Sequence, residues 1–267
     1  MRKMFLYRLG INKSTNHPIL NSFNELKIKK GDLSLFNYNY FKKTVYFEIF
    51  KFLNKNLFGR VISIGCGKGF LEYHLIKNKK NIIATDINKS FIKFNKKIKI
   101  KYLNILSKRN INFKKFGKFD MIYLPGIIYL FNDSEVKLMF KNLKKISKKN
   151  TKIIIFFRSR YSLLVSFFEN FIVPSELYIK KFIFKFRSNE KVYKSFKGYR
   201  RTLSEMKNLI YQSKFTIDSF ELLDYETEYN RSIFIKRFKL SKLLSYLFLK
   251  QHPYLNIFVL RNTNNGK

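Results

Sequence analysis

The sequence predicts an α/β fold: a doubly wound, mostly parallel seven-stranded sheet with helices on both faces and a helical insertion after the fifth strand. Three observations carry that reading. Short apolar runs alternate with stretches whose apolar residues recur at helical spacing, the pattern of parallel strands joined by crossover helices. The run Val61-Ile-Ser-Ile64 stops at three alternating glycines, Gly65, Gly67 and Gly69, as a strand does when it turns sharply into a helix. A second apolar run, Asn81-Ile-Ile-Ala-Thr-Asp86, ends in a carboxylate roughly twenty residues after the first glycine, at the tip of the next strand.

Residues 36–57 carry apolar side chains at helical spacing and read as a helix leading into the sheet. Strands are expected at 61–64, 82–86, 99–103, 119–124 and 152–157, with helices at 69–79, 89–97 and 134–148 between them. Asn132-Asp133-Ser134 supplies an N-cap for the last of these helices. Residues 158–200 break the alternation with an aromatic and basic insertion containing Pro174. Thr202-Leu-Ser-Glu205 is a capping box that starts another helix, and Phe215–Tyr225 and Leu255–Arg261 supply a closing strand pair. The organisation is thus an N-terminal segment and lead-in helix (1–57), an α/β core (58–157), the insertion (158–200), and a C-terminal part of the same domain (201–267).

Composition narrows the function classes. A chain of 267 residues suits one α/β domain with additions, and 46% hydrophobic residues suffice for a sizeable core. The chain has 31 Phe and 17 Tyr but no Trp and a single alanine, Ala84, so much of the Phe reads as core filler standing in for Leu and Ala. A net charge of +38 attracts polyanions, which makes nucleic acid and an anionic membrane surface candidate partners. The lysines run along the whole chain, which equally fits a solvated lysine-rich surface. Cys66 is the only cysteine, so no disulfide forms within the chain, and with His17, His74 and His252 far apart no metal is expected. No uncharged apolar run reaches the length of a membrane span, and the basic start Met-Arg-Lys-Met-Phe-Leu-Tyr-Arg does not read as a secretory signal. A cytoplasmic location is expected, with the inner membrane face as a possible peripheral contact.

The glycine turn and Asp86 together read as a nucleotide-type site. Glycine adopts positive φ and leaves no Cβ between backbone and ligand, while a carboxylate at the next strand tip accepts both hydroxyls of a ribose. A dinucleotide fold wants Gly-x-Gly-x-x-Gly, whose last glycine seats a pyrophosphate on a helix N-terminus. The spacing here is Gly-x-Gly-x-Gly. With Asp86 following, it resembles the class I S-adenosylmethionine-dependent methyltransferases, over about residues 36–157 closely and beyond them loosely. The resemblance implies S-adenosylmethionine as cofactor. It implies that Gly65, Cys66, Gly67 and Gly69 lie beside the methionine part, that Asp86 holds the ribose and that Ile87 lies against the adenine. Asn104 would meet the adenine amino edge, where the family often has Asp, and the Leu124 carbonyl would face the cofactor's ammonium. Two departures stand out: Ser63 replaces an acidic residue of the first strand, and Lys148-Lys-Asn150 replaces Pro-Gly-Gly before the fifth.

Transfer from a sulfonium methyl needs alignment of the acceptor, with a base when the nucleophile is a hydroxyl. In the loop after the fourth strand, Tyr129 and Asp133 are the candidates, although Asp133 also suits a capping role; His74 reads as a helix-surface residue. The insertion, with Tyr161–Val173 apolar at helical spacing and Ile179–Phe186 mixing aromatics with lysines, reads as a lid over the acceptor, a helical subdomain or an interfacial helix, and Ser241–Lys250 is a second interfacial candidate. The favoured function is O-methylation of a small-molecule, glycan or lipid-linked acceptor. The alternatives are an RNA methyltransferase and a degenerate non-catalytic member. Against RNA base methylation, Leu124-Pro-Gly126 stands where such enzymes carry Asn/Asp-Pro-Pro-Tyr.

Overall fold

In the central strands, alternate side chains point to opposite faces of the sheet, and each face acquires its own apolar layer. The computed structural model describes residues 34–42, 44–94, 97–107, 111–158, 199, 201–223 and 255–262. Its strands are β1 (Val61–Ile64), β2 (Ile82–Asp86), β3 (Ile100–Tyr102), β4 (Phe119–Leu124), β5 (Ser147–Arg158), β6 (Phe215–Leu223) and β7 (Leu255–Asn262). They form one sheet in the order β3-β2-β1-β4-β5-β7-β6. All neighbouring pairs from β3 to β5 are parallel, and β7 runs antiparallel to both β5 and β6.

Helices α1 (Tyr38–Phe41), α2 (Val45–Asn56) and α3 (Phe70–Lys77) cover one face, packing Leu53, Leu71 and Leu75 onto Val61, Met121, Tyr123, Ile154 and Phe156. The short α4 (Lys89–Phe94) stands between β2 and β3. On the opposite face, α5 (Ile111–Lys114), α6 (Asp133–Ile146) and α7 (Leu203–Gln212) pack Phe113, Phe140, Leu143 and Met206 onto Ile62, Ile64, Ile122, Leu124, Ile153 and Ile155. The strand order reverses between β1 and β4, which opens a crevice at their carboxyl ends.

Three differences from the sequence expectation exceed the shifts of one to three residues seen at other element ends. The helix expected over 36–57 is two helices, because Thr44 is extended (φ −112°, ψ 157°) and its hydroxyl donates to the Phe41 carbonyl at 2.8 Å, a side-chain bond that competes with the helix ladder. β5 begins at Ser147, ahead of the expected 152. There Lys148-Lys-Asn150 forms a bulge: the pairing with β4 jumps from Phe119↔Ser147 to Met121↔Lys152, and the Thr151 hydroxyl bridges the Lys148 N–H and the Phe119 carbonyl, both at 2.6 Å. Helix α5 was not expected at all; one turn is too short to carry a periodic signal. The two capping boxes are present as read, Asn132 with Glu135 and Thr202 with Glu205. The proposed insertion 158–200, apart from Arg158 and Tyr199, lies outside the described residues, as do 1–33 and Ser241–Lys250.

Asn132 both starts α6 and ends the loop after β4, so its cap can be weighed alone. Asn132→Ala should destabilise the protein by about 1 kcal/mol, read as a lower denaturant midpoint with an unchanged slope.

Candidate functional site

The loop from β1 into α3 is fastened to the end of β2 by three backbone N–H groups, and a fourth closes the loop on itself. Those of Gly65 and Cys66 donate to the Thr85 carbonyl at 2.9 and 3.0 Å, and that of Gly69 closes the turn on the Cys66 carbonyl at 3.0 Å. The Gly67 N–H donates to Asp86 Oδ2 at 2.7 Å. Two glycines have distinct reasons to be there. A Cβ on Gly65 (φ +77°) would lie 2.2 Å from Ile127 Cγ2, so this position brings the loop against the segment after β4. Gly67 (φ +57°) faces open space, with nothing within 4 Å of where its Cβ would be.

Asp86 lies almost wholly buried at the tip of β2. Its second oxygen, Oδ1, accepts the Asn88 N–H at 2.8 Å. Burial pushes its carboxyl above the ordinary carboxylate range, and the backbone N–H groups of Asn88, Gly67 and Ile87 pull the other way. A carboxylate has about four acceptor sites, so these N–H groups leave acceptor capacity for a ligand hydroxyl. Asn104, after β3, accepts the Leu106 N–H on Oδ1 at 2.9 Å, which turns its amide NH2 to the remaining partners. These residues border a cavity of about 420 Å³ walled by Gly65, Cys66, Gly67, Asp86, Ile87 and Asn104 on one side and Pro125, Gly126, Ile127, Tyr129 and Phe131 on the other. That is inside the size range of small-ligand pockets, about 300–1,000 Å³.

Beneath the glycine loop stands Glu72, a residue the sequence reading missed. It is fully buried on α3, and its Oε1 accepts hydroxyls from Ser63 at 2.6 Å and Tyr123 at 2.9 Å. A buried carboxylate from the facing helix thus meets the Ser63 hydroxyl on β1. The signal was present: Glu72 interrupts the apolar side of a helix one turn after Gly69, opposite a strand that carries a serine. Burial, with the charge of Asp86 as a lesser cause, pushes the Glu72 carboxyl up to about 7, against hydrogen bonds that lower it.

Of the other sequence candidates, Tyr129 lines the cavity and Asp133 does not. Asp133 is mostly exposed in the first turn of α6, and its carboxylate pairs with the buried Arg201 at 2.7 Å. Arg201 also donates to the carbonyls of Phe131 at 2.7 Å and Tyr199 at 3.1 Å, and the Tyr199 N–H donates to the Tyr129 carbonyl at 2.6 Å. Arg201 thus fixes the β4 loop that forms the cavity's far wall. Gly69 caps α3 in the left-handed region, and the Leu124 side chain sits in the core while its carbonyl accepts the Gly126 N–H at 2.8 Å; neither residue borders the cavity. His74 is not at the surface: it is buried, stacked on Phe41 with ring centroids 4.0 Å apart, and its Nε2 lies 3.0 Å from the Leu35 carbonyl, so it ties α1 to α3. Among the described residues, no group of three His, Cys, Asp or Glu side chains is placed to hold a metal, and no helix is long and apolar enough to cross a membrane.

Comparison of the whole architecture with solved structures identifies the fold. The chain is similar to a protein of Pyrococcus horikoshii (TM-score 0.52, 14% identity, 88% of this chain and 100% of that one). It is similar to a SAM-dependent methyltransferase of Methanosarcina mazei (0.50, 15%, 79% and 96%). A third similar structure is a SAM-dependent methyltransferase of Thermotoga maritima, described as a possible histamine N-methyltransferase (0.50, 14%, 87% and 98%). The fold is that of the class I S-adenosylmethionine-dependent methyltransferases. No protein-family model and no curated protein sequence matches the chain. The two departures noted in the sequence lie at Ser63, whose hydroxyl donates to Glu72, and at Lys148–Asn150, in the bulge that the Thr151 hydroxyl closes.

Two expectations follow for this methyltransferase-fold site. Gly65→Ala should destabilise severely, through both the clash with Ile127 and positive φ, whereas Gly67→Ala should cost only about 1–2 kcal/mol of backbone strain; thermal unfolding of the two variants makes the comparison. Glu72 carries a definite sign. Its folded carboxyl titrates near 7 against an ordinary 4.5, so the neutral form is favoured in the fold. Stability relative to Glu72→Gln should be fully present below about pH 4.5 and should fall by roughly 3 kcal/mol as pH rises through 7, measured by denaturation across that window.

Proposed function

We propose that the chain is an S-adenosylmethionine-dependent methyltransferase that O-methylates a small-molecule, glycan or lipid-linked acceptor. The observation that carries the reading is the Asp86 carboxylate, held by the Gly67 and Asn88 N–H groups at the head of the cavity with free lone pairs for a ribose diol. The residues present fit the cofactor by their own chemistry. Gly67 leaves its backbone open, Asp86 offers acceptors, Asn104 offers an amide for the adenine edge and Ile87 an apolar surface for its face.

When bound, the cofactor supplies a sulfonium methyl for transfer to a nucleophile. The chain's work is then to align the acceptor and exclude water. The far wall, Pro125 to Phe131, is mainly apolar and anchored by Arg201, and Tyr129, a polar side chain of that wall, is assigned to orient or deprotonate an acceptor hydroxyl. The small, walled cavity supports a small-molecule or single-residue acceptor over a structured polymer. The chain leaves the sheet at Arg158 and returns at Tyr199 beside this wall, so residues 158–200 are assigned to acceptor recognition on the sequence reading.

RNA is the second reading, favoured by the charge of +38. Counterion release makes such binding strongly salt-dependent. On the favoured reading, RNA binding collapses between low and physiological salt; tight binding to one structured RNA that survives high salt would reverse the ranking.

Calorimetry with S-adenosylhomocysteine tests the cofactor assignment. Wild type should bind, and Asp86→Ala should weaken binding by about 1–3 kcal/mol, because ribose hydroxyls are left unpaired. Equal affinity in the two proteins would remove Asp86 from the site.

A further inference from the structure

Glu72 has one oxygen satisfied and one not. Oε1 accepts two hydroxyls, while Oε2 is buried without a hydrogen-bond partner, an expensive arrangement unless a proton or a ligand takes it. The residue also lines the cavity, next to Gly65, Cys66 and Gly67. Of the cavity-lining residues, Glu72 and Asp86 are the two carboxylates, and Asp86 already holds two backbone N–H groups at the ribose end. The ionisable groups around Glu72 are Cys66 in the loop, Asp86 on β2 and Tyr123 on β4. Lys68 before α3 and Tyr46 on α2 share the cavity wall, and His74 and Lys77 follow Glu72 on α3.

Resting on the methyltransferase reading, the geometry points to Glu72 as the counter-charge for the ammonium at the amino-acid end of the cofactor, releasing its proton to solvent as that cation binds. The glycine loop is the part of the site beside the methionine moiety, and Glu72 is the carboxylate beneath it. In the protein alone, the buried acid is largely neutral below its midpoint of about 7. A cation within about 4–6 Å lowers a carboxyl by about 1–3 units, enough to ionise it at neutral pH. Ser63 and Tyr123 donate to the same Oε1, so they stabilise the ionised form and leave Oε2 for the ligand. No bond is made or broken apart from the O–H of Glu72, whose proton passes to buffer. Cofactor affinity thereby becomes a function of pH, and the loss of an acidic residue from β1 is compensated by a group that titrates near neutrality.

The test is calorimetry of S-adenosylhomocysteine binding to the full chain, one pH unit below that midpoint, in two buffers of different ionisation enthalpy. Wild type should release about 0.4 to 0.9 of a proton per ligand bound, with affinity rising about three- to eightfold per pH unit in that range. Adenosine, which lacks the ammonium, should bind with no proton release, as should S-adenosylhomocysteine to Glu72→Gln. Binding of S-adenosylhomocysteine to wild type without proton release would overturn the inference while leaving the cofactor reading intact, and undiminished release in Glu72→Gln would assign the proton elsewhere and overturn it too. Failure of both ligands to bind wild type would reject the cofactor reading and this inference with it.

Discussion

The site depends on one hydrogen bond, from the Gly67 N–H to the Asp86 carboxylate at 2.7 Å. It joins the ends of two adjacent parallel strands across a turn that presents bare backbone to the cavity. Hydrogen bonds to charged groups are worth about 1.5–3 kcal/mol each, and two of them let Asp86 stay in a buried position that would otherwise drive it neutral. Gly67 must in turn hold positive φ for its N–H to point at β2, and Gly65 must lack a Cβ for the loop to lie under Ile127. The cavity is the space left when both conditions are met.

The two faces of the sheet contribute differently to that cavity. The face covered by α1, α2 and α3 provides a polar floor within an apolar layer: Ser63, Tyr123 and Glu72 converge where their neighbours are Leu71, Leu75 and Ile154. A buried polar cluster of this kind fixes geometry where its members are satisfied, and Glu72 Oε2 is its one oxygen without a hydrogen-bond partner. The face covered by α5, α6 and α7 anchors the other wall, through Asn132 at the start of α6 and Arg201 before α7. Several lysines cover the faces of aromatic rings at the edge of the core. Lys97 stands over Phe36 and Tyr73, Lys144 over Phe215 and Lys207 over Phe220, so lysine head groups on separate elements lie over aromatic faces.

Much of the fold was legible because its signals are local. The runs at 61–64, 82–86 and 119–124 match β1, β2 and β4 residue for residue, since a buried parallel strand is a short apolar run with definite ends. Asn132 and Thr202 were legible as caps because a capping box spans only four residues. The loop at the head of the cavity was legible through Gly65 and Gly67, whose positive φ dictates the residue type, and through the carboxylate that ends the next apolar run, Asp86. What escaped was non-local. Glu72 acquires its role from Ser63, nine residues away, and Tyr123, fifty-one away. Asp133 was a plausible base until Arg201, sixty-eight residues on, claimed its carboxylate. His74 read as surface because the helix Tyr38–Phe41 that buries it lies more than thirty residues earlier.

The central claim is that one cavity binds S-adenosylmethionine along a line from Asp86 to Glu72, and a crystal structure of the chain with S-adenosylhomocysteine tests it most directly. The account predicts ribose hydroxyls within hydrogen-bonding distance of Asp86, adenine between Ile87 and Asn104, and the amino-acid end over the Gly65–Gly67 loop with its ammonium at Glu72 Oε2. Ligand bound elsewhere, or in this cavity with its ribose away from Asp86, would contradict it.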